Sequence, residues 1–219
     1  MKYNIDIANI NTYPKELIDA IHNKSDIEIG KVLYNCNLLC FHFTRLISIN
    51  DIKNTGIIKL DFDKYISYFY DVYKSRINDE SNLDKFIHDL KDLSRKFAGR
   101  NNRISFVVGY NQHVFNDYSY YSEFFGGEYI EMISRKYNNI NLNLRQIGTP
   151  YVIKFIVPVK IIKKQNSLNF NSLIKHVKNN VLNNDNKCME LYTYNYDIPA
   201  TDILEINKLK KGLIQTYFA

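Results

Sequence analysis

Apolar positions in "NLLCFHF" alternate with a period of two, which predicts a strand with Leu38, Cys40, His42 and Thr44 on one face and Leu39, Phe41 and Phe43 on the other. The chain then runs into "SINDIKNTG". Here Ser48 and Asp51 form a capping box, Ile49 and Ile52 an apolar stripe and Gly56 a left-handed stop, so a short helix is expected. Apolar residues at 65, 68, 69, 72 and 73 and again at 83, 86, 87, 90 and 97 recur at helical spacing and predict two amphipathic helices, the second bracketed by Ser81/Asp84 and Gly99. Strand character returns in "RISFVVGY". In "NDYSYYSEFFGGEYIEMISRKY" helical spacing is interrupted by Gly126 and Gly127 just before Glu128. "YVIKFIVPVKII" is the longest β run, with Pro158 marking a sheet edge or a bend; a helix "NSLIKHVKNNVL", a strand "CMELYTYNY" and a closing "DIPATDILEI" follow. Before all of these, "YPKELIDAIH" starts a helix at Pro14 within a first 30 residues that read as a helical or irregular N-terminal extension.

Strands and helices are mixed without regular βαβ alternation and without G-x-G-x-x-G, so the fold class is α+β rather than a doubly wound sheet. The length of 219 residues suits one domain, 1–219, with one core. At 45% hydrophobic and 14% aromatic, the chain has the material for that core and is not a disordered one. The net charge of +6 favours polyanionic partners, although Lys/Asn-rich stretches such as "VKNNVLNNDNK" also read as plain solvated surface. Three cysteines, Cys36, Cys40 and Cys188, with no CxxC, suggest neither a disulfide framework nor a zinc cluster and point to a reducing compartment. No apolar run is long enough to span a bilayer and "MKYNIDIANI" lacks a signal peptide's apolar region, so a cytoplasmic protein without a membrane partner is expected.

Several chemistries lack their residues. There is no G-x-x-x-x-G-K-[ST], H-E-x-x-H, G-x-S-x-G or calcium loop, and the histidines at 22, 42, 88, 113 and 176 are scattered singly, so no metal is expected. What remains is "FHFTR" leading into "DIKNTGI". This resembles the first motif of the ADP-ribosyltransferase fold, in which a strand bearing His-x-Thr runs into a short helix and a Gly-Ile or Gly-Leu turn. "RISFVV" is similar to that family's second strand, "SEFFGGEYIEM" to the acidic segment behind a glycine pair in bacterial members, and "IPATDILEI" to a phrase that follows the last core strand.

The resemblance implies split antiparallel β-sheets with flanking helices and an extended NAD, the substrate, in the cleft between them. It implies that His42 hydrogen-bonds a ribose hydroxyl beside Thr44, and that Arg45 and Arg103 neutralise the pyrophosphate. It also implies that Tyr121 or Phe125 stacks on nicotinamide and that a carboxylate stabilises the oxocarbenium-like ribose. Glu128 is the first candidate for that acid. Glu123 and Glu131 compete with it, and Glu190 in "CMELYTY" is the strand-borne rival, since relatives carry the acid on a late strand. The implied activity is transfer of ADP-ribose to a macromolecule, RNA or DNA favoured over protein, in a toxin or phage-defence protein that an antitoxin partner would neutralise. Two other readings stay open: a metal-free ribonuclease or RNA 2′-phosphotransferase using His42, Arg45 and Arg103, and a non-catalytic module binding nucleic acid or protein in which His42 is structural.

Overall fold

A computed structural model describes residues 3–77, 82–96, 102–109, 125–165, 167–194 and 196–209. The strand predicted around His42 is β2, Asn37–Leu46, and the sheet is built outward from it. One edge of β2 is paired along its whole length with β4, Thr149–Pro158, antiparallel from Asn37 opposite Pro158 to Leu46 opposite Thr149. The other edge is shared. β1, Asn4–Ile5, lies parallel to Asn37 and Leu38, and β3, Arg103–Val108, pairs antiparallel with Cys40 and Phe41 alone. β5, Met189–Tyr194, extends the sheet beyond β3 and β6, Ile203–Lys208, extends it beyond β4. The order is therefore β5-β3-β2-β4-β6, with β1 as a sixth strand against β2. The architecture is α+β with an essentially antiparallel sheet. It is one connected sheet, parted only locally where β3 leaves β2.

The face of the sheet carrying Leu38, Cys40, Ile104, Phe106 and Phe155 packs into the larger core. It is covered by α1, Lys15–His22, α2, Asp26–Tyr34, α8, Val159–Gln165, and α9, Ser167–Asn183. The first 30 residues are part of this core, to which they give Ile5, Ile7, Leu17, Ile21 and Ile29; they are not an appended extension. β1 is two residues long, too short for alternation to betray it, yet its pairing with β2 and the burial of Ile5 fix the chain there. Ser25 caps α2 by accepting from the amide of Glu28.

Helix α3, Ile49–Thr55, starts where expected, with Ser48 accepting from the amide of Asn50. α4, Phe62–Arg76, is capped by Asp61 and buries Phe62, Ile66, Phe69 and Tyr73, a stripe at helical spacing. It packs with α5, Leu83–Lys96, α6, Gly127–Ser134, and α7, Asn138–Leu144, around a second core in which Phe69 lies 5.6 Å from Phe86 and 6.0 Å, stacked, from Phe125.

The run "YVIKFIVPVKII" is not one strand. β4 ends at Pro158 and α8 begins at Val159, whose amide turns to the carbonyl of Cys36. The proline takes the last ladder position, opposite Asn37; β6 reaches only as far as Phe155, so on that side Pro158 has no ladder partner among the described residues, and the chain bends there into α8.

Candidate functional site

β3 touches β2 in register at only two positions, so from His42 to Leu46 this edge of β2 has no ladder partner among the described residues. A cavity of about 390 Å³ opens in the gap. Residues 41–47 and 103–107 of the two strands wall it, with Ile57, Ile58 and Leu60 beyond α3, Tyr65, Tyr68 and Phe69 on α4, and Phe125 with Gly126. The wall is mostly apolar, and its polar groups are His42, Thr44, Arg45, Asp51, Arg103, Ser105 and Glu190. A concave, largely apolar surface with a few convergent polar groups is the ordinary form of a small-molecule site.

His42 replaces the ladder where the strands part. Its Nδ1 lies 3.0 Å from the carbonyl oxygen of Ser105. A carbonyl can only accept, so Nδ1 carries the proton, and in the neutral ring Nε2 is left as an acceptor. Burial pushes the imidazole below its ordinary pKa, with the Ser105 hydrogen bond opposing, so the ring is neutral at physiological pH. The unfolded chain therefore takes up a proton first as the pH falls through 6.5, the ordinary histidine value, and the folded state loses stability from there until its own ring protonates. The difference in unfolding free energy between wild type and His42→Gln should shrink as pH falls from about 7.5 to 5, measured by denaturant melts; parallel profiles would show that the ring titrates normally.

Thr44 lies on the same strand face, partly buried on the cavity wall, as the alternation predicted. Arg45 also lines the cavity, but its Nε donates to the carbonyl of Ile147 and one of its terminal nitrogens to that of Arg145. Those bonds clamp the turn between α7 and β4, work that draws donors away from a ligand. Arg103, the first residue of β3, stands on the wall; it lies opposite Tyr194 of β5 and its carbonyl accepts from the amide of Leu60. Phe125 is buried between Phe69 and Tyr68, so it serves the wall as packing. Tyr121 and Glu123 lie outside the described residues.

The candidate acids separate. Glu131 is buried at 6% exposure and held by Arg135 at 2.6 Å, and it is not on the wall. Glu128 lies in the first turn of α6, two residues from Gly126 on the wall, with its side chain outside the described atoms. Gly126 has φ +92°, and a Cβ there would come within 2.6 Å of Ile130 and 2.8 Å of the Tyr65 hydroxyl. The protein's own packing already requires a glycine there. Glu190 is exposed on β5, opposite Val107, and lines the cavity. It belongs to the sheet face opposite that of His42. Both reach the cavity because it opens through the parting of the strands.

Sequence reasoning missed Asp51 as a wall residue, having read it only as a capping partner, and missed the Ser105 carbonyl and the aromatic edge of α4. The motif's glycine ends α3, but not in the left-handed helical conformation expected of it. Gly56 has φ +81° and ψ −160°, outside the left-handed helical well, and its neighbour Ile57 exchanges two 2.9 Å hydrogen bonds with Ile198 of "IPATDILEI". The four separately quoted segments thus gather at one place: three contribute to the wall, and the fourth backs Gly56 and Ile57. No family model matches the sequence, and no curated protein and no solved structure matches it significantly.

Proposed function

We propose that the chain is an NAD-dependent ADP-ribosyltransferase whose NAD occupies the cavity between β2 and β3. The observation that carries this reading is a neutral His42, fixed in one tautomer by Ser105, on the wall of an aromatic-lined cavity that also bears Glu190 and Arg103. An imidazole with an accepting Nε2 suits a ribose hydroxyl, which donates. At about 390 Å³ the cavity is near the lower end of the range for small-molecule sites, enough for nicotinamide and its ribose while the remaining dinucleotide follows the rim toward Arg103.

In the reaction the bond between the ribose C1′ and the nicotinamide nitrogen breaks and its electron pair neutralises the pyridinium ring. The acceptor's nucleophile then bonds to C1′ and gives up its proton. Positive charge builds on the sugar only in the transition state, so a carboxylate fixed beside it lowers the barrier selectively. Glu190 takes this role among the described side chains; Glu128 remains its competitor from the glycine-pair segment. Neither has a glutamate or glutamine two residues before it, where protein-modifying relatives often carry one: Cys188 and Gly126 stand there. With the net charge of +6, this favours a nucleic-acid acceptor over protein. The proposal includes a toxin or defence role with a neutralising partner.

Nicotinamide release from NAD, with transfer of label from NAD to RNA or DNA, tests the reading. NAD at about 100 times its Kd should stabilise the fold by about 2.7 kcal/mol and raise Tm by at least about 5 °C. No shift and no release would sink it, and RNA cleavage without NAD would put a ribonuclease in its place.

A further inference from the structure

Residues 132–184 hold nine lysines and arginines and no aspartate or glutamate, so the rest of the chain, +6 less +9, is net −3. The basic excess is therefore local. Among the described residues Arg135 is answered by Glu131 at 2.6 Å, Lys154 by Glu205 at 2.9 Å and Lys178 by Asp26 at 2.8 Å. Lys160, Lys163 and Lys164 on α8 and Lys175 on α9 stand exposed.

Their placement is not scattered. On α8 the three lysines are spaced i, i+3 and i+4 and share one side, while Val159 and Ile162 are buried. α9 buries Phe170, Leu173, Ile174 and Val177 and turns Asn171, Ser172, Lys175 and Asn179 outward. The Lys163 ammonium lies 5.1 Å from the ring centre of Tyr34 and 5.0 Å from that of Phe170, which ties the tip of α2 to both helices and leaves Tyr34 43% exposed. The acids of α2, Asp26 and Glu28, lie about 9–12 Å back along that helix from Tyr34.

We propose that this face, Lys160, Lys163, Lys164 and Lys175 with Tyr34, docks single-stranded nucleic acid. Lysines spaced over two helices suit successive phosphates, and an exposed tyrosine among them offers a ring for a base. A membrane surface is the poorer partner. The outward positions between the lysines are asparagine and serine, and Val159, Ile162, Phe170, Leu173, Ile174 and Val177 are turned into the core; the exposed Leu182 lies seven residues past Lys175 on α9, too little apolar surface to enter lipid. The face is also separate from the cavity. α8 leaves the sheet at Pro158, opposite Asn37, whereas the cavity uses the other end of β2, about 20 Å along the strand. The inference therefore stands or falls independently of the transferase reading, and its test needs no NAD.

The experiment is fluorescence anisotropy with the full chain and a labelled oligouridylate of about a dozen nucleotides, across a salt series. The Lys160→Gln/Lys164→Gln/Lys175→Gln variant should bind on the order of a hundredfold more weakly at about 0.1 M salt, with the log–log salt slope shallower by about 2, since each phosphate contact to a single strand contributes about 0.7. Lys85→Gln/Lys91→Gln on α5, which removes exposed charge elsewhere, should bind like wild type. Equal losses in both variants, unchanged binding in the first, or a preference for duplex or for phosphatidylserine vesicles over the oligouridylate would each overturn the proposal. Unaltered melting curves for the variants show that the fold is retained.

Discussion

Glu190→Gln should lower nicotinamide release by on the order of a hundredfold or more and leave the melting temperature unchanged. The substitution keeps the shape of the side chain and removes only the charge that would stabilise the sugar cation. Losing one preorganised electrostatic partner of a transition state typically costs 10² to 10³ in rate, about 3–4 kcal/mol. Because Glu190 is exposed at the edge of the sheet, the fold does not depend on its charge. Glu128→Gln belongs in the same assay. If it alone abolishes release, the acid sits on α6 and Glu190 is merely part of the wall. Glu131→Gln supplies the contrast: it removes the charge of a buried carboxylate paired at 2.6 Å with the largely exposed Arg135, so it should cost some stability and leave kcat nearly untouched. Loss of release in the Glu131 variant without a loss of stability would contradict the assignment of roles.

The alternation around His42 was legible because β2 buries one face deeply and packs Phe41 and Phe43 of the other with Val107, Val152 and Leu209, so period two had to be kept along it. That pattern placed His42 and Thr44 on one side without any structural knowledge. The junction at Pro158 was illegible for the opposite reason. "IVPVKII" is β-branched on both sides of the proline, and the helix after it draws its stability from burying Val159 and Ile162 in the core, not from propensity.

The site was legible only where side-chain identity mattered. Ser105 acts through its backbone carbonyl and leaves no mark in the sequence. Arg45 looked like a phosphate clamp because a guanidinium bonds carbonyls and phosphates with the same donors, and which it meets depends on a turn a hundred residues away. Glu131 could have been set aside earlier, since Arg135 follows it by four residues, a helical pairing distance.

Among the described glycines, Gly56→Ala should be the most damaging substitution by a single methyl. Added at Gly56, a Cβ would stand 2.0 Å from the Ile198 carbonyl oxygen, 2.8 Å from the Ala200 nitrogen and 2.9 Å from the Pro199 carbonyl carbon. All three are backbone atoms, so no rotamer change relieves the clash. The φ of +81° adds a strain of about 1–2 kcal/mol that any L-residue meets there. The expected loss is at least about 3 kcal/mol, a fall in Tm of about 6–12 °C for a domain of this size. Gly30→Ala is the comparison: it lies inside α2, with ordinary φ and flexible side-chain neighbours at 3.3 Å and beyond, and gains helix propensity of up to about 1 kcal/mol, so it should be near neutral. Relief at Gly56 requires Ile57 and Ile198 to separate, and Ile57 is part of the cavity wall. Whatever ligand the cavity holds should therefore bind the Gly56→Ala protein more weakly even at temperatures where it remains folded. Wild-type stability and ligand-induced Tm shift in that variant would mean that the glycine turn and the "IPATDILEI" segment are not locked together as described.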